Sequence, residues 1–191
     1  MVHAIEAFTT KHKKNPLSDM LAREALRLMA GNIEVAVKQG NNVAAREAML
    51  LGAMLAGQAF ANAPVAAVHA LAYPLGGNYH IPHGLSNSLV LPHVLRFNVP
   101  EAGHHYAELA SIILPNKTLP TDRHEVSELL ATYFLALAED LGLQTTLRQM
   151  NIDQDDLPML AEQAMLQQRL LINNPRDVSL DDALAIYRQA F

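Results

Sequence analysis

Apolar residues recur along this chain at three- and four-residue steps. Leu17, Met20, Leu21, Ala25 and Leu28 do so within Leu17–Lys38. Val126, Leu129, Leu130, Tyr133, Phe134, Leu137 and Leu141 do so within Arg123–Leu141, and Gly142 then supplies a stop. Such spacing lines one side of a helix. Further helices are predicted from His3 to about Lys13, closed by Asn15-Pro16, and over Val43–Asn62 after the turn signal Gly40-Asn41-Asn42. Ala66–Tyr73 is a short one, halted by Pro74. Leu85–Asn98 follows with a kink expected at Pro92, then Val99–Leu114 and a Pro-bounded loop to Pro120. Gln154–Leu171 and Leu180–Ala190 complete the series, the last introduced by the capping-box pattern Ser179-Leu-Asp-Asp182. Val43–Asn62 is apolar almost all round, so it is expected to lie centrally with neighbours on every side. No Val/Ile/Thr-rich alternation appears. The expected fold is all-α, a multi-helix bundle of about eight or nine helices.

Composition narrows the class. The 191 residues suit one domain, read as 1–191. Half are hydrophobic and 17% charged, a globular balance, and Ala, Leu and Met supply most of the apolar mass, which favours helices. A net charge of −5 with a pI near 5.9 gives no basic footprint for nucleic acid or anionic lipid. No cysteine is present, so disulfides, thiolate metal sites and cysteine nucleophiles are excluded. In the N-terminal MVHAIEAFTTKHKK the basic residues follow the apolar ones, the reverse of a secretory signal. The longest apolar run, Ala48–Ala72, is interrupted by Gln58, Asn62, Pro64 and His69, and Pro64 divides it into pieces too short to span a bilayer. It is read as core, and the expected location is cytoplasmic, with neither membrane nor nucleic acid as partner.

The candidate chemistry is histidine chemistry. HALAYPLGGNYHIPHG sets His69 and His83 on either side of a Pro/Gly-rich turn, and His3 opens the chain in HAIEAF. Three converging neutral imidazoles would suit Zn²⁺ or Fe²⁺. Each also has a plainer reading: His69 as a core histidine bonded to a carbonyl, His83 as a loop residue capping a helix, His3 as an exposed terminal residue. Spacing leaves both readings open. His80, inside the turn, is read as a loop residue rather than a partner of the ligands. His12 is placed on a solvated face, and His93, His104, His105 and His124 at the surface or at helix ends. No P-loop, GxGxxG, GxSxG or HExxH motif occurs.

The motifs HAIEAF, NPLSDMLAREAL, AREAMLLGAMLAGQAF, HALAYPLGGNYHIPHGLSNSLVLPHVLRFN and NNPRDVSLDDALAIY together closely resemble the C-terminal helical half of the iron-dependent (group III) alcohol dehydrogenases. The pairing of HALAYPLGG with PHGLSN is the most specific of them. The resemblance implies the dehydroquinate synthase-like helical domain of that family. It also implies a divalent metal, Fe²⁺ or Zn²⁺, in a cleft between this lobe and an NAD(P)-binding α/β lobe. The ion would polarise an alcohol or carbonyl oxygen during hydride transfer. The family's three ligand histidines match His3, His69 and His83. Its ligand aspartate stands four residues before the histidine matching His3, whereas this chain begins two residues before it, so the carboxylate and the nucleotide-binding lobe are expected to be absent. Where the family often has a proton-transferring histidine, four positions after His69, this chain has Tyr73. No residue is assigned a catalytic role.

The expectation is therefore a metal-dependent, NAD(P)-linked alcohol dehydrogenase domain acting on a small alcohol or carbonyl substrate and inactive alone. Its alternatives are a non-catalytic metal-binding or interaction module, and one half of a split enzyme completed by a separate nucleotide-binding polypeptide. An apolar, histidine-lined cleft face would favour a homo-oligomer.

Overall fold

The computed structural model describes residues 1–191 and contains nine α-helices and no strand. In chain order they are α1 (Val2–Thr9), α2 (Pro16–Lys38), α3 (Val43–Asn62), α4 (Ala67–Tyr79), α5 (His83–Ile113), α6 (Arg123–Asp140), α7 (Leu157–Met165), α8 (Gln168–Leu171) and α9 (Leu180–Ala190). Side-chain caps explain four of the nine starts. Asn15 accepts from the Ser18 N–H with Pro16 in the first turn, Asn42 accepts from Ala45, and Asp122 accepts from His124 and Glu125. The capping box at Ser179 and Asp182 forms as the pattern predicts.

α2 and α3, joined by four residues, pack along one another, and α1 lies across both. α5 packs on α4 and α6, while α9 seals α7 and α5. The buried Tyr187 hydroxyl on α9 donates to the Leu71 carbonyl of α4 at 2.6 Å. Buried Asn98 and Asn174 exchange side-chain amide hydrogen bonds and fasten α5 to the segment after α8.

Several boundaries differ from the sequence reading. α1 ends at Thr9, not near Lys13, and Thr10 turns into an extended conformation. Pro74 does not halt α4. The helix continues to Tyr79, where His80 closes it in the left-handed conformation (φ 55°). Pro74 lacks the N–H that would donate to Ala70, but Pro74 and Leu75 are buried, and the Asn78 side chain donates to the Pro74 carbonyl. Leu85–Asn98 and Val99–Leu114 are one helix, α5, which runs through both Pro92 and Pro100 and starts at His83. At 1.5 Å per residue it is roughly 46 Å long. The segment read as Gln154–Leu171 is a 3₁₀ turn (Gln154–Asp156), then α7, then α8. The break between α7 and α8 turns Leu170, Leu171, Asn173 and Asn174 inward.

α3 does not lie centrally. Only Ala45, Gly52, Ala56 and Ala59 are buried, while Val43, Leu50, Leu51 and Met54 are exposed. Its apolar composition had no partner to reveal, because the contact with α2 is carried by the small residues. α4, by contrast, is buried continuously from Ala67 to Ala72. No single helix is long and apolar enough to cross a membrane, and α3 and α4, which together would be, meet at 108°.

Candidate metal centre

Three helices deliver three imidazoles to one place. His3 comes from the first turn of α1, His69 from the third position of α4 and His83 from the first position of α5. Each offers a ring nitrogen, and these atoms lie within 4.8 Å of one another. The His3 ring stacks between Phe60 of α3 (centroids 4.5 Å apart) and His69 (4.6 Å), and the His69 and His83 rings are 5.3 Å apart. Exposure is graded across the group: His69 is buried at 2%, His3 is half-buried and His83 faces solvent.

His69 is held from α1. Its Nδ1 lies 2.5 Å from Oε2 of Glu6, while Oε1 of Glu6 accepts the Val68 N–H at 2.7 Å. Glu6 is itself buried, at 3% exposure. A buried carboxylate is costly unless its oxygens are bonded, and here both are. His69 Nε2, by contrast, is buried and has no hydrogen-bond partner. An imidazole nitrogen left orphaned beside two other imidazoles is what a divalent first-row ion would satisfy, so the residues present fit such an ion.

The electrostatics agree with that donor set. Burial, then the neighbouring His69, the N-terminal amine and His83, push the His3 pKa down to about 4. Burial and His69 also lower His83. Both rings therefore keep a neutral, lone-pair-bearing form near neutrality. Tyr73, one turn beyond His69, borders the group with its ring 6.4 Å from His69 and 6.3 Å from His83. Asn87, one turn beyond His83, donates to the His83 carbonyl at 2.8 Å and holds its amide nitrogen 3.3 Å from His83 Nε2.

The structure thus places His3, His69 and His83 together, leaves His80 as the exposed stop of α4, and puts His12, His104 and His124 at the surface. His93 departs from its surface assignment and is buried on α5. Sequence reasoning passed over Glu6 and Asn87. Glu6 is the lone acid of an otherwise apolar HAIEAF, one turn after His3, and Asn87 stands one turn after His83 within PHGLSN. Those positions on the ligand-bearing faces were the available signal.

The chain is thus an all-helical unit in which imidazoles from three helices meet at one place. Over residues 1–191 the chain matches the C-terminal part of the Fe-containing alcohol dehydrogenase family, and it belongs to that family. It is 38% identical over 191 residues to 1,3-propanediol dehydrogenase of Klebsiella pneumoniae, a match covering 100% of this chain and 49% of that protein. The alcohol dehydrogenase of Oenococcus oeni superposes with a TM-score of 0.93 at 32% identity, covering 100% of this chain and 49% of the other. The sulfoacetaldehyde reductase of Bifidobacterium kashiwanohense, solved with NAD⁺, superposes at 0.84 with 26% identity, covering 99% and 47%. The chain spans about half the length of the curated relatives it matches.

Proposed function

We propose that this chain forms the metal-binding half of a metal-dependent, NAD(P)-linked alcohol dehydrogenase acting on a small alcohol or carbonyl compound. The observation that carries the reading is the convergence of His3, His69 and His83 around the buried, partnerless Nε2 of His69. These three side chains would hold Fe²⁺ or Zn²⁺, which when bound supplies Lewis-acid polarisation of the substrate oxygen.

The chain's own residues perform the rest of this half of the task. His69 anchors the group from the interior, while the exposure of His83 leaves the solvent side open for a substrate to approach. Phe60 and the α1 helix behind His3 exclude water from the inner side. Tyr73 borders the group, its ring 6.4 Å from His69 and 6.3 Å from His83, on the side a substrate would approach. A hydride carrier needs a nucleotide site, and no strand-to-helix phosphate loop exists in this all-helical chain. That site is assigned to a nucleotide-binding lobe outside these residues, and a carboxylate ligand upstream of His3 would complete the coordination. The similarity to a 1,3-propanediol dehydrogenase and a sulfoacetaldehyde reductase supports a small polar alcohol or aldehyde as the substrate class.

The test is elemental analysis after equilibration with Fe²⁺ or Zn²⁺ and desalting, beside a His69→Ala control and an NADH oxidation assay with short aldehydes. Near-stoichiometric metal, lost in the variant, with no turnover by the chain alone is the expected result. Absence of retained metal in both proteins would refute the metal site, and turnover by the pure chain would refute the division of labour between two lobes.

A further inference from the structure

Glu6 occupies an unusual position: a buried carboxylate on α1 that does nothing for α1 itself. Both its oxygens reach α4, more than sixty residues later, one to the Val68 N–H and the other to His69 Nδ1. α4 has Ala66 at its N-cap and no side-chain cap of its own, so Glu6 supplies from another helix the acceptor this helix start lacks. An ionised carboxylate can only accept. With Oε2 at 2.5 Å, the proton of a neutral His69 must therefore sit on Nδ1, which leaves the lone pair on Nε2. Nε2 is the buried atom without a partner, and it lies at the histidine cluster.

We infer that Glu6 is the positioning residue of the metal centre, fixing the tautomer and the ring orientation of His69 so that Nε2 is presented as a ligand. α1 then contributes twice: His3 as a candidate ligand, and one turn later the acid that sets a second ligand. Asn87 has no comparable role, since its nearest bond is to the His83 backbone carbonyl. The inference rests on the proposed metal site for its purpose but not for its first readout.

That readout is the ¹⁵N NMR signature of His69 in the metal-free wild-type protein at mildly alkaline pH, assigned by comparison with His69→Ala. The Nδ1–H tautomer is expected, and an Nε2–H tautomer would overturn the inference whether or not the protein binds metal. The second readout uses Glu6→Gln. The new amide can keep the Val68 N–H bond only by turning its NH₂ toward Nδ1, and the ring answers by moving its proton to Nε2. The variant should remain folded by circular dichroism, show the switched tautomer, and bind Zn²⁺ about 10–100-fold more weakly, judged by competition with a chromophoric chelator. Wild-type affinity with an unswitched tautomer in Glu6→Gln would reduce Glu6 to a helix cap. If wild type takes up no Zn²⁺, the proposed function falls, while the tautomer measurement still decides the role of Glu6.

Discussion

His93 lies on α5 at 7% exposure with Nδ1 lacking a hydrogen-bond partner. Burial, reinforced by the Arg96 guanidinium, holds its pKa down to about 4 against opposing contributions from Gln189 and Glu128. An unfolded chain would protonate the same imidazole near 6.5, so between those values the unfolded state binds more protons. Stability from this group is complete above about 6.5 and is lost as pH falls toward 4. His105 is lowered in the same direction by burial, reinforced by His104 and Lys14. Carboxylates held low in the fold, such as Glu128 hydrogen-bonded to Arg96, add to the loss from about pH 5 downward. Urea unfolding of the metal-free protein at intervals between those pH values should therefore show falling stability, with His93 contributing on the order of 2 kcal/mol at the acid end. His93→Leu should flatten the slope, and an equal slope in both proteins would refute the assignment. The sequence could not have revealed this burial: His93 follows Pro92 in a segment read as a kinked helix, and its cover arrives from other elements. Glu6 was hidden for the same reason, because its partners are more than sixty residues away.

Helix starts, unlike buried partners, are short-range events. Asn42, Asp122 and the Ser179–Asp182 box each act within three residues, which is why the beginnings of α3, α6 and α9 were legible in the sequence. Pro74 misled for the opposite reason. Its intrinsic cost is local, but the packing of α4 on its neighbours overrides it. α3 shows a third limit, since an apolar sequence does not say which of its faces is covered. Close approach is what fixes its seat. A Cβ built on Gly52 would stand 2.7 Å from the buried Met29 side chain and 3.2 Å from the Ala25 carbonyl oxygen of α2. Gly52→Val should therefore push the two helices apart and destabilise the protein by about 1–3 kcal/mol. A lower urea midpoint at unchanged slope is the expected observation. An unchanged midpoint would mean the α2–α3 contact is looser than the structure has it.

Across the whole molecule, the candidate centre lies where three helices from distant parts of the chain meet. α1 packs with α2 and α3, α4 with α5 and α7, and α5 with α6, and the three histidines lie where α1, α4 and α5 face one another. His69 and His83 could be considered together from the sequence because only the rest of α4 and the short break before α5 separate them. The approach of α1 was legible only through resemblance, since nothing in its spacing places His3 beside residues sixty and eighty positions later. An ion at this junction would bind the native arrangement and not the unfolded chain, so it must stabilise the fold by mass action. At a hundredfold excess of free Zn²⁺ over its Kd the gain is about 2.7 kcal/mol. At about 2–4 °C per kcal/mol for a chain of this size, the melting temperature should rise by roughly 5–11 °C. Scanning calorimetry with and without Zn²⁺ measures this directly. The rise should disappear with a chelator, and His69→Ala should lose it, because the variant removes the buried, unpartnered nitrogen of the histidine cluster. An equal rise in wild type and His69→Ala would place the ion elsewhere on the surface and detach the histidine cluster from metal binding altogether.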